Sequence, residues 1–151
     1  MPEKNQTPDP IVRTVWVDCP VADAFRLFTE RFAEWWPLHV HSLHKEDAER
    51  CAMEPWLGGR IFERTQDGTE VVWGSIVAWE PPGRLEFTWC PGRPQDPRET
   101  DPRETVRVEF QVVADGARVT LIHSGWNRTL ELSCVLRCFA TATERQLVGS
   151  Y

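Results

Sequence analysis

Four histidines and five cysteines are the side chains best able to do chemistry in this 151-residue chain. Three of the histidines crowd one stretch, His39-Val40-His41-Ser42-Leu43-His44, followed by Glu46 and Asp47. Neutral imidazoles at this density make His39, His41 and His44 the candidate ligands for zinc or another divalent cation. A His-x-His pair on a loop still needs third and fourth ligands at ~2.0–2.2 Å, which no other motif supplies, so they read first as surface or rim residues and no metal is expected. The fourth, His123, stands in an alternating apolar run, where a lone histidine is normally a packing residue. Either His41 or His123 would gain acid–base meaning by facing a closed pocket opposite a carboxylate.

The remaining reactive groups exclude more than they suggest. Cys19, Cys51, Cys90, Cys134 and Cys138 are an odd number without CxxC spacing, which fits neither a disulfide framework nor a zinc knuckle. Buried, reduced thiols are expected, although Cys134 and Cys138 fall at i and i+4 on a predicted helix. Ser75 and Ser124 lack a GxSxG elbow, and Cys90 before Pro91 has no identifiable base. Gly58-Gly59 leads into a strand and lacks the lysine of a phosphate loop, so these are turn glycines. Glu63, Glu70, Glu86 and Glu109 alternate with apolar residues, the pattern of a solvated sheet face. A catalytic carboxylate would have to break that alternation. No catalytic residue and no cofactor is therefore assigned.

Composition narrows the partners. Asp and Glu outnumber Lys and Arg by 23 to 17, giving a net charge of −6 and an isoelectric point near 5.2. Nucleic acid phosphates would meet net repulsion. The start, MPEKNQTPDP, has no apolar signal region, and no run of eighteen apolar residues occurs, so no membrane insertion is expected. The expectation is a cytoplasmic protein, monomer or homodimer, with a flexible stretch over residues 1–10 and a single domain over 11–151.

The elements that must position these groups follow from periodicity. Ile11 to Val17 is rich in β-branched residues and reads as a strand. Pro20 suits a first helical position, and Val21, Ala24, Phe25 and Phe28 then form an apolar stripe. A second short turn carries Phe32, Trp35 and Trp36 before Pro37 breaks it. From about Ala48 the period becomes two. Asp67-Gly68 and Asp115-Gly116 read as hairpin turns, Pro81-Pro82-Gly83 as a type II turn with glycine at positive φ, and Leu57-Gly58-Gly59 as a fourth turn. They separate strands at roughly 48–54, 60–65, 70–79, 84–90, 105–113 and 118–124, an antiparallel meander. Leu85, Phe87 and Trp89 face one side, Glu86 and Thr88 the other; Val106, Val108, Phe110 and Val112 repeat the pattern. The tandem Asp-Pro-Arg-Glu-Thr at Asp96 and Asp101 reads as a solvated loop duplication. At the end, Thr129 can cap a helix whose apolar face is Leu132, Val135, Leu136, Phe139 and Ala142, with Gly149 as its stop. About nineteen residues would span ~28 Å, enough to lie across a sheet.

The order is strand, two short helices, meander, long helix: an α+β fold in which a bent antiparallel sheet of six or seven strands wraps a long C-terminal helix. In this setting the segments EPWLGGRIFER, DGTEVVWGSIVAWEPPGRLEFTW, VEFQV, DGARVTLIHSGW and FAEWWP carry a resemblance. They are similar to the SRPBCC or START-like helix-grip superfamily, in particular its bacterial branch resembling activators of a heat-shock chaperone's ATPase. The resemblance spans Ile11 to Trp126; beyond it the chain lacks the tryptophan-bearing helix usual in the family. It implies a cavity between sheet and C-terminal helix for a small hydrophobic or amphipathic ligand, with His39 to His44 near its mouth. The residues it implies for the wall are Trp36, Trp73, Phe87, Trp89, Phe110, Leu121, His123 and Phe139. It also implies two alternatives to simple binding: stimulation of a chaperone ATPase, or cyclase- or hydrolase-type catalysis in the same cavity.

Overall fold

The computed structural model describes residues 9–36, 48–89, 104–124 and 138–143. Seven strands are present: β1 (Ile11–Val17), β2 (Ala48–Met53), β3 (Arg60–Thr65), β4 (Glu70–Glu80), β5 (Arg84–Thr88), β6 (Thr105–Val113) and β7 (Gly116–Ser124). Two helices, α1 (Val21–Thr29) and α2 (Phe32–Trp35), lie between β1 and β2. The sheet runs β1-β7-β6-β5-β4-β3-β2, antiparallel at every junction. The meander is therefore as expected, and β1 closes its far edge by pairing with β7.

That topology explains the helices. The chain must travel from one edge strand, β1, to the other, β2, and α1 and α2 make the journey across one face. Packing of α1 on β6 and β7, and of α2 beside β2, marks its two ends. The helix faces are apolar accordingly: Ala24, Phe25, Leu27 and Phe28 of α1 and Phe32 and Trp35 of α2 are buried. Trp36 then turns to extended backbone (φ −66°, ψ 130°), the region preferred by a residue ahead of proline.

The sheet's alternation is clean where the helices cover it. Leu85, Phe87 and Trp89 are buried, as are Val106, Val108 and Phe110, and Ala117, Val119, Leu121 and His123. Val112 departs from the expected pattern and is 76% exposed: it pairs with Ala117 of β7 on one side, but lies beyond Glu109, where the pairing with β5 stops. Irregular pairing breaks the ladder in three places. Glu49 in β2, and Trp73 and Val77 in β4, are each an extra residue opposite the neighbouring strand. Such bulges bend a strand and redirect side chains.

Two turns differ from expectation. Val113 pairs with Gly116, so the hairpin's central residues are Ala114 and Asp115 and Gly116 already belongs to β7. Glycine is needed there for space as well as backbone: φ is +154°, and a Cβ would lie 2.0 Å from the carbonyl oxygen of Val17. The Glu80–Gly83 turn is closed by the Gly83 N–H donating to Glu80 O at 2.9 Å, with a cis Pro81–Pro82 bond, and Gly83 does not take positive φ. A cis proline at the third position belongs to a type VI turn rather than type II. Gly68, by contrast, has the positive φ (+93°) expected of it.

Of the expected C-terminal helix, residues 138–143 are described and are helical, with Phe139 and Ala142 buried. Thr129, Leu132, Cys134, Val135, Leu136 and Gly149 lie outside the described residues. So do Cys90, most of the Asp-Pro-Arg-Glu-Thr duplication and the cluster His39, His41 and His44.

Candidate functional site

The helix-facing side of the sheet carries polar groups that a plain hydrophobic core would not. On β7 the inward series Ala117, Val119, Leu121 ends at His123, paired in register with Val106 of β6. The residue two before Val106 is Glu104, and period two places it on the same face. His123 Nε2 and Glu104 Oε2 lie 2.6 Å apart, and the two side chains are 1% and 2% exposed. The Trp89 N–H donates to Glu104 O at 2.9 Å, extending the β5–β6 ladder beyond both strands and fixing the glutamate's backbone.

A second buried carboxyl sits further along the face. Glu63 of β3 accepts from the indole Nε1–H of Trp73 on β4 at 3.0 Å, and both are fully buried. This corrects the expectation that Glu63 belongs to the solvated face. Because Trp73 is the extra residue of a bulge, both it and Gly74 are buried. Glu70 is exposed and Glu86 and Glu109 half-buried, in keeping with the alternation.

Cys51 of β2 stands opposite Glu63 in register and is buried. Burial, reinforced by the Glu63 carboxylate, pushes its thiol up to about 12. It is a neutral packing group, as anticipated for the cysteines; Cys19 and Cys138 are half-buried.

Aromatic rings join these polar groups. Trp36 packs on Trp73 at 5.3 Å and on Trp89 at 5.7 Å between ring centroids, and Trp89 meets Phe87 at 6.1 Å. Trp36 thus bridges Trp73, the partner of Glu63, to Trp89, whose backbone N–H meets Glu104. Phe110 and Phe139 pack with Phe25, Phe28 and Trp35 of the helices, and Trp35 meets Trp36 at 5.9 Å, so the rings form one continuous network. Leu121 is buried on β7 opposite Val108.

Two ring nitrogens on this face have no hydrogen-bond partner among the described residues: Nε1 of Trp89 and Nδ1 of His123. In the tautomer whose Nε2–H donates to the Glu104 carboxylate, Nδ1 of His123 presents a lone pair. The face therefore offers one buried N–H donor and one buried acceptor. A separate cleft of about 320 Å³ between α1 and the Glu80–Gly83 turn, lined by Phe25, Arg26, Trp79, Pro81 and Pro82, contains none of these groups. Among the described residues no three His, Cys, Asp or Glu side chains are grouped to hold a metal, and no helix is long and apolar enough to cross a membrane.

Glu104 is the residue that sequence reasoning missed, since it belongs to the second copy of the duplication read as a solvated loop. The signal was available: Glu104, Val106, Val108 and Phe110 share one period-two series.

Residues 18–144 match the family model of the activator of Hsp90 ATPase homolog 1-like proteins. The chain belongs to this family. Its helix-grip fold is shared by solved structures of other activator homologs and uncharacterised bacterial proteins. The protein MLL2253 from Mesorhizobium loti is 20% identical, with TM-score 0.61, over 94% of this chain and 98% of the other. An activator-homolog-like protein from Aeromonas hydrophila is 15% identical, with TM-score 0.61, over 91% and 93%. An anthrahydroquino-γ-pyrone synthase, Txn09, solved in complex with SUM, is 32% identical, with TM-score 0.60, over 93% and 99%. No curated protein matches the chain.

Proposed function

We propose that this family member binds a small, flat, hydrophobic or amphipathic molecule between the inner face of the sheet and the C-terminal helix. Trp36, Trp73, Phe87, Trp89, Leu121 and His123 would form the wall, with Phe110 and Phe139 supporting it through the helix cluster. One observation carries this reading: Trp89 Nε1 and His123 Nδ1 are buried without partners among the described residues. Leaving a buried donor or acceptor unmet costs about 1–3 kcal/mol, and a ligand oxygen or hydroxyl recovers it. Aromatic walls with a few convergent polar groups are the usual chemistry of small-molecule sites. The likeness to Txn09, a synthase whose name denotes a polycyclic hydroxyaromatic product, supports a ligand of that class.

The test is a titration with a polycyclic aromatic probe while tryptophan emission is followed. Three tryptophans at the proposed site make saturable quenching the expected result. An emission spectrum that does not respond to any such probe would remove the reading.

The family description favours a second reading, stimulation of a heat-shock chaperone's ATPase. A rise in chaperone ATPase rate on adding this protein, unaffected by substitutions at Trp89 or His123, would support it over ligand binding.

A further inference from the structure

We infer that Glu104 and His123 form a proton-transfer dyad acting on a hydroxyl of the bound ligand, and that this ligand is a hydroxylated aromatic carbonyl compound whose carbonyl faces Trp89. The inference rests on the binding reading above and goes beyond it by assigning a chemical step and a substrate class.

The dyad is argued from its geometry. The 2.6 Å contact between two almost wholly buried side chains holds Nε2 against the Glu104 carboxyl and leaves Nδ1 as the ring's other nitrogen. In the tautomer whose Nε2–H donates to the carboxylate, Nδ1 is a base with nothing described to occupy it. A ligand hydroxyl is its complement. The Nε1–H of Trp89 asks for the opposite, an acceptor, and a carbonyl oxygen supplies it. A compound carrying both groups on an aromatic frame satisfies both nitrogens and the ring surfaces of Trp36, Trp73 and Phe87.

The step balances without a co-reactant. The ligand O–H bond breaks, its electron pair stays on oxygen, and the proton forms an N–H bond at His123 Nδ1. The imidazolium then lies between the Glu104 carboxylate and the ligand oxyanion, while conjugation carries negative charge to the carbonyl held by Trp89 Nε1–H. Return of the proton to a carbon of the same conjugated system completes a tautomerisation, with no atom gained or lost. His123 is the catalytic residue and Glu104 the positioning residue. Of the other described charged groups on neighbouring strands, Glu63 is held by Trp73, and Arg107 lies on the outer face near Glu86 (3.6 Å) and Glu109 (3.7 Å).

The experiment uses 2-hydroxyanthraquinone, whose visible absorption moves to longer wavelength when its phenol ionises. The probe is titrated into the intact protein, with tryptophan quenching reporting binding and absorption across a pH series reporting ionisation. The bound phenol is expected to ionise at roughly 10-fold higher proton concentration than the free probe, consistent with a positioned base. Glu104→Gln, checked for native near-ultraviolet dichroism, should lose the ionisation shift while still showing saturable quenching; His123→Gln should lose the shift and also weaken the quenching affinity several-fold, having lost its bond to the ligand hydroxyl. Nitrogen NMR of the unliganded wild type should place the His123 proton on Nε2. Quenching with an unshifted ionisation, or a proton on Nδ1, overturns the dyad and leaves the binding reading standing. Absence of quenching overturns both. The wild-type measurements decide the matter even if a variant fails to fold.

Discussion

The indole Nε1–H of Trp73 donates to the carboxyl of Glu63 at 3.0 Å across β3 and β4, with both side chains fully buried. Replacing Trp73 by Phe keeps an aromatic ring but deprives Glu63 of this donor, so urea unfolding should register a loss of about 2–3 kcal/mol. Glu63→Gln retains an acceptor oxygen and should cost less. The pair's coupling in a double-mutant cycle should be at least about 1 kcal/mol, and independent, additive losses would show that the bond contributes nothing.

Cys51 gives a prediction at alkaline pH. Its thiol is pushed up to about 12 from an ordinary value near 9, by burial first and the Glu63 carboxylate second. Above the ordinary value the unfolded chain loses this proton while the folded one keeps it. Stability contributed by the thiol is therefore complete below pH ~9 and declines as pH rises towards the folded value, at up to about 1.4 kcal/mol per pH unit. Comparing wild type with Cys51→Ala isolates this slope from other alkaline titrations. Identical slopes in the two proteins would contradict the assignment.

How far the sequence reveals this arrangement can be argued residue by residue. Leu85, Phe87, Val106, Val108 and Phe110 could be placed on the dry face because one side of each strand is covered and the other is not, which imprints period two on the chain. Val112 obeys the same period yet is exposed, since the point at which the neighbouring strand β5 stops is a tertiary fact absent from β6 itself. The pairing of Trp73 with a buried Glu63 was illegible for a different reason: a bulge adds one residue to β4 without a local signature in VVWGS. Glu104 was hidden by its company, for proline and charge in DPRET describe its neighbours and not its own side chain. His123 could be placed on the inner face, but only the fold supplies the carboxylate beside it.

Phe139 tests the C-terminal segment. Its ring is fully buried and meets Phe28 at 5.2 Å and Trp35 at 5.3 Å, so it anchors residues 138–143 on the helices crossing the sheet. Phe139→Ala should cost about 3–5 kcal/mol as an aromatic truncation in a packed site. Calorimetric melting would reveal it. An unchanged melting temperature would mean that this segment does not hold the helix cluster together.

Trp89 supplies the sharpest comparison, because its surroundings resemble those of Trp73 in all but one respect. Both indoles are buried and both pack against Trp36, but only that of Trp73 has a hydrogen-bond acceptor among the described residues. Tryptophan to phenylalanine removes the same volume at either position, so the difference between the two losses isolates the N–H group. Trp89→Phe should destabilise the unliganded protein less than Trp73→Phe, by about 1–3 kcal/mol. With 2-hydroxyanthraquinone the order of effects should reverse. Trp89→Phe removes the donor proposed for the ligand carbonyl and should weaken binding roughly 5- to 10-fold, the equivalent of one net hydrogen bond. Trp73→Phe leaves that donor in place and should weaken binding less. If Trp89→Phe is as costly to the unliganded fold as Trp73→Phe, then Nε1 of Trp89 is already satisfied within the protein, and the case for a ligand carbonyl at that position falls.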